Sequence, residues 1–311
     1  NDGVSGGISV NSPGGNRTIR ELIGVTADYL DGKGIDSAKL NAERLLADVL
    51  GLSRIELFFQ HDRPVLGAEL EAFRGLVRRR AAGEPLQQIL GETEFYSRVF
   101  KVEPGVFIPR PETERLVEEA VALLTPADHR LLAPVAIEVG CGTGIIGVSL
   151  ALEIPRLSLY ATDINAAAIQ LTKHNAHTLG AEPRVHLFQG NRFDPLPAHL
   201  KGEVDLVVSN PPYVRAGDIP QLAAEVSEHD PVEALDGGED GLVFYRALAS
   251  AVGGWLKPGG HLAVEIGDDQ GQDVEDIFAG SNMRDIRIIR DYADRDRVVT
   301  ARVGDREEDD G

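Results

Sequence analysis

The chain has 311 residues but only one cysteine, one tryptophan and one methionine, and 5% of it is aromatic. A lone Cys141 cannot close an internal disulfide or build a structural zinc site from several thiolates, which fits a reducing cytoplasm. No segment reaches the roughly 18 uninterrupted apolar residues that a membrane-spanning helix needs. The best candidate, Val139 to Leu152, is Gly-rich and flanked by Glu138 and Glu153. The start, Asn1 to Gly15, is rich in Gly, Ser and Asn without an apolar core, so it does not read as a signal peptide. Positive charge is scarce as well: 31 Lys+Arg face 50 Asp+Glu, for a net charge of −19. Residues 1–90 are close to balance, so almost all of the excess falls on residues 91–311. Such a field repels phosphate backbones and disfavours diffusely bound nucleic acid, although solubility alone would also account for it.

What is present is a 42% hydrophobic composition, ample for packed cores, at a length that favours two domains. Thr18 to Tyr29 has helical spacing. A second helix, capped by Asp36 or Ser37, runs to Leu50 and stops at Gly51. Ile55 to Gln60 and Ala68 to Ala82 supply further helical material, so residues 17–91 read as a small helical bundle after a flexible tail over 1–16. Residues 92–110 read as a hairpin-like connection, with Glu94 to Val102 and Val106 to Ile108 meeting at Pro104-Gly105. From Pro111 onward short apolar strands alternate with helices. Strands are expected over Val135–Val139, Leu157–Thr162, Val185–Gln189, Val204–Ser209 and His261–Ile266, with late β-rich runs over Ile286–Tyr292 and Arg297–Val303. Helices fall between them, one running from Leu242 to Leu256. This alternation predicts an α/β fold over 111–304, a doubly wound, mostly parallel, Rossmann-like sheet. Residues 305–311 form an acidic tail. No internal repeat is found.

Two loops carry the chemistry. Glu138-Val139-Gly140-Cys141-Gly142-Thr143-Gly144 bends from a strand into a helix, and glycine there admits a ligand against bare backbone. Gly142-x-Gly144-x-x-Gly147 matches a dinucleotide fingerprint literally, with Asp163 as a ribose acid. The register E-x-G-x-G-x-G, with Glu138 beside the loop, suits the cationic, phosphate-free S-adenosylmethionine better. Asp163, at a strand's carboxyl end, can take both ribose hydroxyls under either reading. A Gly-rich turn serving only tight packing is the blander alternative.

The second loop is Asn210-Pro211-Pro212-Tyr213, directly after an apolar strand. Two prolines fix φ, forbid helix and hold Asn210 extended. A planar –NH2 substrate can donate one hydrogen to the Asn210 side-chain oxygen and one to the Pro211 carbonyl, with Tyr213 packed over its face. These four residues are the expected substrate site, and Asn210, Pro211 and Tyr213 its catalytic part.

Asn-Pro-Pro-Tyr in this place resembles the amino-group methyltransferases that act on adenine N6 or on glutamine side-chain amides. Three further strings narrow the resemblance: Phe107-Ile108-Pro109-Arg110-Pro111-Glu112-Thr113-Glu114, Ala234-Leu235-Asp236-Gly237-Gly238-Glu239-Asp240-Gly241-Leu242, and Leu256-Lys257-Pro258-Gly259-Gly260. With them the chain is similar, over about residues 18 to 303, to the bacterial peptide chain release factor N5-glutamine methyltransferases (the PrmC/HemK family). The resemblance implies S-adenosylmethionine against Gly140, Cys141, Gly142, Thr143, Gly144, Asp163 and Asn210, and the substrate glutamine on Asn210, Pro211, Pro212 and Tyr213. It also implies that residues 17–91 recognise the substrate, and that the protein is a cytoplasmic monomer acting on release factors, without nucleic acid or membrane. Where that family carries an acid and an aromatic near the adenine, this chain has Asn191 and Arg192. Asn191 can still bond the adenine amino group, whereas Arg192 would stack differently. Arg110 either contacts the bound protein's backbone or pairs with Glu112 or Glu114.

No strong general base is required for amide methylation. His174, His177, His186, His229 and His261 therefore read as ordinary structural or surface residues, and Cys141 as a space-filler. Two competing readings remain: adenine-N6 methylation of nucleic acid by the same tetrapeptide, against which the charge argues, and a non-catalytic partner-binding module, which would have no need of that loop.

Overall fold

Thr18 opens the first helix by a reciprocal cap. Its hydroxyl accepts from the Glu21 amide at 3.3 Å, and the Glu21 carboxylate accepts from the Thr18 amide at 2.9 Å. The computed structural model describes residues 17–125 and 133–304, so the tails expected over 1–16 and 305–311 lie outside the described residues. The chain divides into two compact units, Asn1–Leu90 and Gly91–Gly311.

In the first unit, α1 (Ile19–Asp31), α2 (Ala38–Leu50), α3 (Arg54–Phe59), α4 (Gly67–Ala81) and α5 (Leu86–Leu90) pack Ile19, Leu22, Leu45, Leu46, Phe73 and Val77 inward. Burying each such side chain contributes roughly 1.5–3 kcal/mol. Ser37 precedes α2 at φ 52° and makes no side-chain cap. The Asn41 amide instead ties down the chain entering the helix, donating to the Asp36 and Ser37 carbonyls at 3.0 and 3.2 Å. Gly51 ends α2 as expected, at φ 62°.

The second unit opens on a hairpin, β1 (Glu92–Phe95) and β2 (Arg98–Lys101). Its turn is Tyr96-Ser97, with φ 50° and 59°, not the expected Pro104-Gly105, and Val106 to Ile108 is no strand. Neither turn residue favours positive φ. The Glu114 carboxylate, accepting from the Tyr96 amide at 2.7 Å, helps hold the turn from outside. A short 3-10 turn (Pro111–Thr113) leads into α6 (Glu114–Leu124).

Strand and helix then alternate: β3 (Val135–Val139), α7 (Ile145–Glu153), β4 (Ser158–Asp163), α8 (Ala166–Thr178), β5 (Val185–Gln189), β6 (Val204–Ser209), α9 (Ala224–Ser227), α10 (Val243–Val252), β7 (Leu256–Glu265), α11 (Gly271–Ala279), β8 (Met283–Arg290) and β9 (Asp296–Val303). The sheet order is β5-β4-β3-β6-β7-β9-β8, parallel from β5 to β7, with β9 antiparallel to both β7 and β8. This is the expected doubly wound, mostly parallel sheet. Several boundaries differ, and the widest discrepancy lies between α10 and β7. The helix expected to reach Leu256 stops at Val252, where Gly253-Gly254 break it, and Leu256 already begins β7.

Strand β6 is buried on both faces. Leu206 and Val208 join one core with Leu116 of α6 and Ile146 of α7; Val204 and Val207 join the other with Leu248 of α10 and Val274 of α11. Chain order reverses between β3 and β6, which opens a crevice at the carboxyl edge of the sheet, where open α/β folds bind ligands.

Candidate functional site

A cavity of about 690 Å³ lies at that edge, a size suited to a small-molecule ligand. The loops after β3, β4, β5 and β6 supply Gly140, Cys141, Gly142, Thr143, Asp163, Asn191, Arg192, Asn210, Pro211, Pro212 and Tyr213 to its wall, and Arg110 joins them. Glu138 and Gly144 do not line it.

The glycine loop is held by its own geometry and by a neighbouring helix. Gly140, Gly142 and Gly144 have φ of 78°, 54° and 80°, the left-handed region that side chains resist. A Cβ on Gly140 or Gly142 would meet nothing within 4 Å, whereas on Gly144 it would stand 2.7 Å from Thr172 Cγ2. The Thr172 hydroxyl donates to the Gly142 carbonyl at 3.0 Å, and the Asn175 amide donates to the Thr143 carbonyl at 2.8 Å. These two α8 residues went unread in the sequence. Their signal is a buried Thr and Asn among Ala168, Leu171 and Ala176 on one helix face. Cys141 is buried against Thr172, and burial pushes its thiol well above the ordinary range.

Asp163 closes the loop from the next strand. One carboxylate oxygen accepts from the Gly142 amide and the other from the Asn165 amide, both at 2.8 Å. Burial raises its pKa while these amides oppose the rise. Glu138 behaves otherwise. Strand periodicity puts it on the face of β3 shared with Ala136, beneath α7, where a Cβ on Gly147 would lie 2.3 Å from its Oε2. It is fully buried, neither oxygen has a geometrically complete hydrogen bond among the described residues, and burial, opposed by the nearby Gly147 amide, raises its pKa well above the usual carboxylate range. The acid expected to face a cationic ligand is therefore a buried group behind the loop.

The Asn-Pro-Pro-Tyr loop is braced from three sides. Asn210 Nδ2 donates to the hydroxyl of Thr113 at 3.3 Å, which leaves Oδ1 as the acceptor end of the amide. Tyr213 Oη donates to Glu265 Oε1 at 3.4 Å, and the Tyr213 carbonyl accepts from Gln270 Nε2 at 3.0 Å. The segment after the loop pairs with the Ala234–Leu242 string: Val214 N donates to the Leu235 carbonyl at 2.9 Å, and Gly237 N to the Val214 carbonyl at 2.8 Å. Gly241 sits so close that a Cβ there would be 2.5 Å from the Tyr213 carbonyl. Burial, then the Glu265 charge, raises the Tyr213 phenol above its ordinary pKa.

Arg110 pairs with Asp230, Nη2 to Oδ2 at 2.5 Å, rather than with Glu112 or Glu114. Asp230 also accepts from the Ile108 amide at 3.1 Å, and the guanidinium lies 5.2 Å from the Phe107 ring centroid. Arg192 reaches the cavity with φ 49°, an uncommon conformation for a side-chain-bearing residue. Among the described residues no histidine lines the cavity: His186 packs against Tyr160 with the rings tilted and His177 pairs with Glu182. No helix among the described residues is long and apolar enough to cross a membrane.

Residues 21–91 match the family model of the PrmC N-terminal domain, and residues 99–252 that of the methyltransferase small domain. The release factor glutamine methyltransferase of Geobacter sulfurreducens is 43% identical, covering 92% of this chain and 97% of the relative. That of Moorella thermoacetica is 41% identical, covering 91% and 98%. A crystal structure of the hMettl16 catalytic domain in complex with MAT2A 3'UTR hairpin 6 has a TM-score of 0.51 at 12% identity, over 66% of this chain and 74% of that chain, a likeness of fold. Identity at this level along nearly the whole chain, with both domain models in sequence, means that the chain belongs to the release factor glutamine methyltransferase family.

Proposed function

We propose that this chain transfers the methyl group of S-adenosylmethionine to the side-chain amide nitrogen (N5) of the glutamine in the Gly-Gly-Gln loop of peptide chain release factors. The observation that carries the reading is the Asn210 amide, tied back through Nδ2 to Thr113 so that its oxygen remains to accept from a substrate –NH2. Pro211, which shares the cavity wall, offers a carbonyl for the second hydrogen, and the Tyr213 ring offers a face for the planar amide.

The cradle fits the cofactor. Gly140 and Gly142 present bare backbone at the wall, with open space where a side chain would be. Asp163 keeps lone pairs for ribose hydroxyls after its two amide bonds. Asn191 and Arg192 lie on the same wall, on the side assigned to the adenine. When bound, S-adenosylmethionine supplies an electrophilic methyl group on a positively charged sulfur.

The chain's own residues do the rest by position and polarity. An amide nitrogen is a weak nucleophile because its lone pair is delocalised, and it gains positive charge as it attacks. Oxygen acceptors on both of its hydrogens stabilise that charge and fix the line of attack. The phenol of Tyr213 is engaged with Glu265 and held protonated, so it serves through its ring rather than as a base. A protonated N-methyl amide gives up its proton readily, so no dedicated base is needed. Residues 17–91 recognise the release factor. The buried, unpaired Cys141 is compatible with the reducing cytoplasm where translation factors work.

Incubation of purified release factor with labelled S-adenosylmethionine and this chain tests the reading. Label should appear on the glutamine of the Gly-Gly-Gln loop and vanish when that glutamine is changed to alanine. Absence of label on that residue would refute the assignment.

A further inference from the structure

The arginine of the Ile108-Pro109-Arg110-Pro111 string joins two stretches of the cavity wall. The flanking prolines keep its backbone extended, at φ −106° and ψ 144°. From that stiff segment Nη2 donates to Asp230 Oδ2 at 2.5 Å, and the guanidinium carbon stands over the Phe107 ring, 5.2 Å from its centroid. Asp230 Oδ1 accepts from the Ile108 amide at 3.1 Å, so each carboxylate oxygen has a donor from the same string. The Asp230 side chain is fully buried, that of Arg110 is 29% exposed, and Phe107, Arg110 and Pro231 all line the cavity. Beyond Asp230 the chain passes through Pro231 and a 3-10 turn (Val232–Ala234) to Leu235, whose carbonyl accepts from the Val214 amide at 2.9 Å. One buried carboxylate thus links the segment that carries Phe107 to the residue that follows Tyr213.

We propose that Asp230 is a positioning residue that, through Arg110, fixes the Phe107 ring relative to the Asn210–Tyr213 loop and so sets the slot for the substrate glutamine. The inference rests on the proposed function, in which that loop receives the glutamine amide. A glutamine side chain is a planar amide carried on two methylenes. Oxygen acceptors on the loop hold the amide, but the methylenes still turn about their own bonds and move the nitrogen with them. In-line transfer tolerates little of that motion. An aromatic face beside the methylenes removes it, provided the ring itself is held. A flat guanidinium over the ring does this better than a flexible ammonium, and Asp230 keeps the guanidinium in place. Stability is a poor account of the pair, since apolar residues of similar volume often replace a buried ion pair at no loss. What the pair adds is fixed geometry, with donors on one segment of the wall and the acceptor on another.

The test is a double-mutant cycle on single-turnover methylation of a release factor by the full chain, at saturating S-adenosylmethionine, with calorimetric titration of the cofactor for each variant. Asp230→Asn keeps an acceptor for the Ile108 amide but loses the charge that holds Arg110, and should slow transfer at least about tenfold, as a misplaced substrate does. Phe107→Ala should slow it to a similar extent. Because both changes act through one ring, the double variant should stay within about threefold of the slower single variant, whereas independent losses would multiply to about 100-fold. Arg110→Lys keeps a cation for Asp230 but gives up the flat contact with the ring. It should repeat the pattern with Phe107→Ala, and it reads the same link if Asp230→Asn does not fold. Cofactor affinity should remain within about threefold of wild type throughout, because the glycine loop and Asp163 are untouched. Multiplying losses, a wild-type rate in both Asp230→Asn and Arg110→Lys, or a fall in cofactor affinity parallel to the rate would overturn the inference and leave the proposed function standing. A wild-type chain that binds S-adenosylmethionine but labels no release factor would overturn the proposed function, and the slot with it.

Discussion

Replacing Glu265 by glutamine should make the fold more stable at alkaline pH. Burial shifts this carboxyl from 4.5 to about 7. A raised acid holds its proton more tightly in the folded state. Its stabilising contribution is complete below pH 4.5 and is lost as pH rises through about 7. Above that range the buried charge costs on the order of 3 kcal/mol, the free energy that separates titration at about 7 from titration at 4.5. Glutamine, neutral throughout, avoids this cost and can still bond Tyr213. The variant should therefore match wild type near pH 4.5 and exceed it by about 3 kcal/mol near pH 8.5, and the difference cancels every other titrating group. The single tryptophan, Trp255, is buried in the second unit against Phe193, so its fluorescence reports unfolding of that unit in denaturant at both pH values. Equal stability of the two proteins at pH 8.5, or a less stable variant, would refute an ionised buried Glu265.

Asn210→Ala should cut single-turnover methylation by at least about 100-fold, the usual loss for one preorganised dipole, with a much smaller change in S-adenosylmethionine affinity. Asp163→Ala should do the reverse, weakening cofactor binding by calorimetry before it slows transfer at saturating cofactor. Gly144→Ala forces a side chain to φ 80° and its Cβ to 2.7 Å from Thr172, so denaturant unfolding should show a loss of about 1–3 kcal/mol. The same change at Gly24, inside α1 with open space around it, should instead gain about 0.5–1 kcal/mol.

Much of the sheet was legible because β3, β5 and β6 are short apolar runs between breakers, and their bounds coincide with those read from the residues. The hairpin was misplaced because Tyr96-Ser97 carries no turn chemistry; a carboxylate many residues away, Glu114, helps fix it. The end of α10 was misread because apolar spacing runs on through Trp255 and Leu256, while Gly253-Gly254 decide otherwise. The site divides similarly. Gly140 to Gly144, Asp163 and Asn210 to Tyr213 stand in contiguous strings at strand ends, so local pattern exposes them. Thr172, Asn175, Asp230 and Glu265 act on those strings from remote segments, and no local period announces a tertiary hydrogen bond. Glu138 was placed by proximity to the loop when strand parity should have placed it; sharing a face with Ala136, it points under α7.

Asp163 on the cavity wall and the two acids behind it, Glu138 and Glu265, sort by their donors, and the sorting carries a functional argument. Asp163 is partly buried yet has a backbone amide on each oxygen, a compensated arrangement that also fixes the loop. Glu138 and Glu265 are almost wholly buried, three of their four oxygens have no hydrogen-bond partner among the described residues, and burial raises both. Carboxyls in that condition add nothing to folding and cost stability whenever they ionise. They stand directly behind the two loops that form the cavity, Glu138 immediately before the glycine loop and Glu265 against Tyr213. Groups that cost stability at such places point to a role in the site. For Glu265 the direct contact is with the acceptor loop itself: its Oε1 accepts from the Tyr213 phenol, which anchors the ring that lines the cavity.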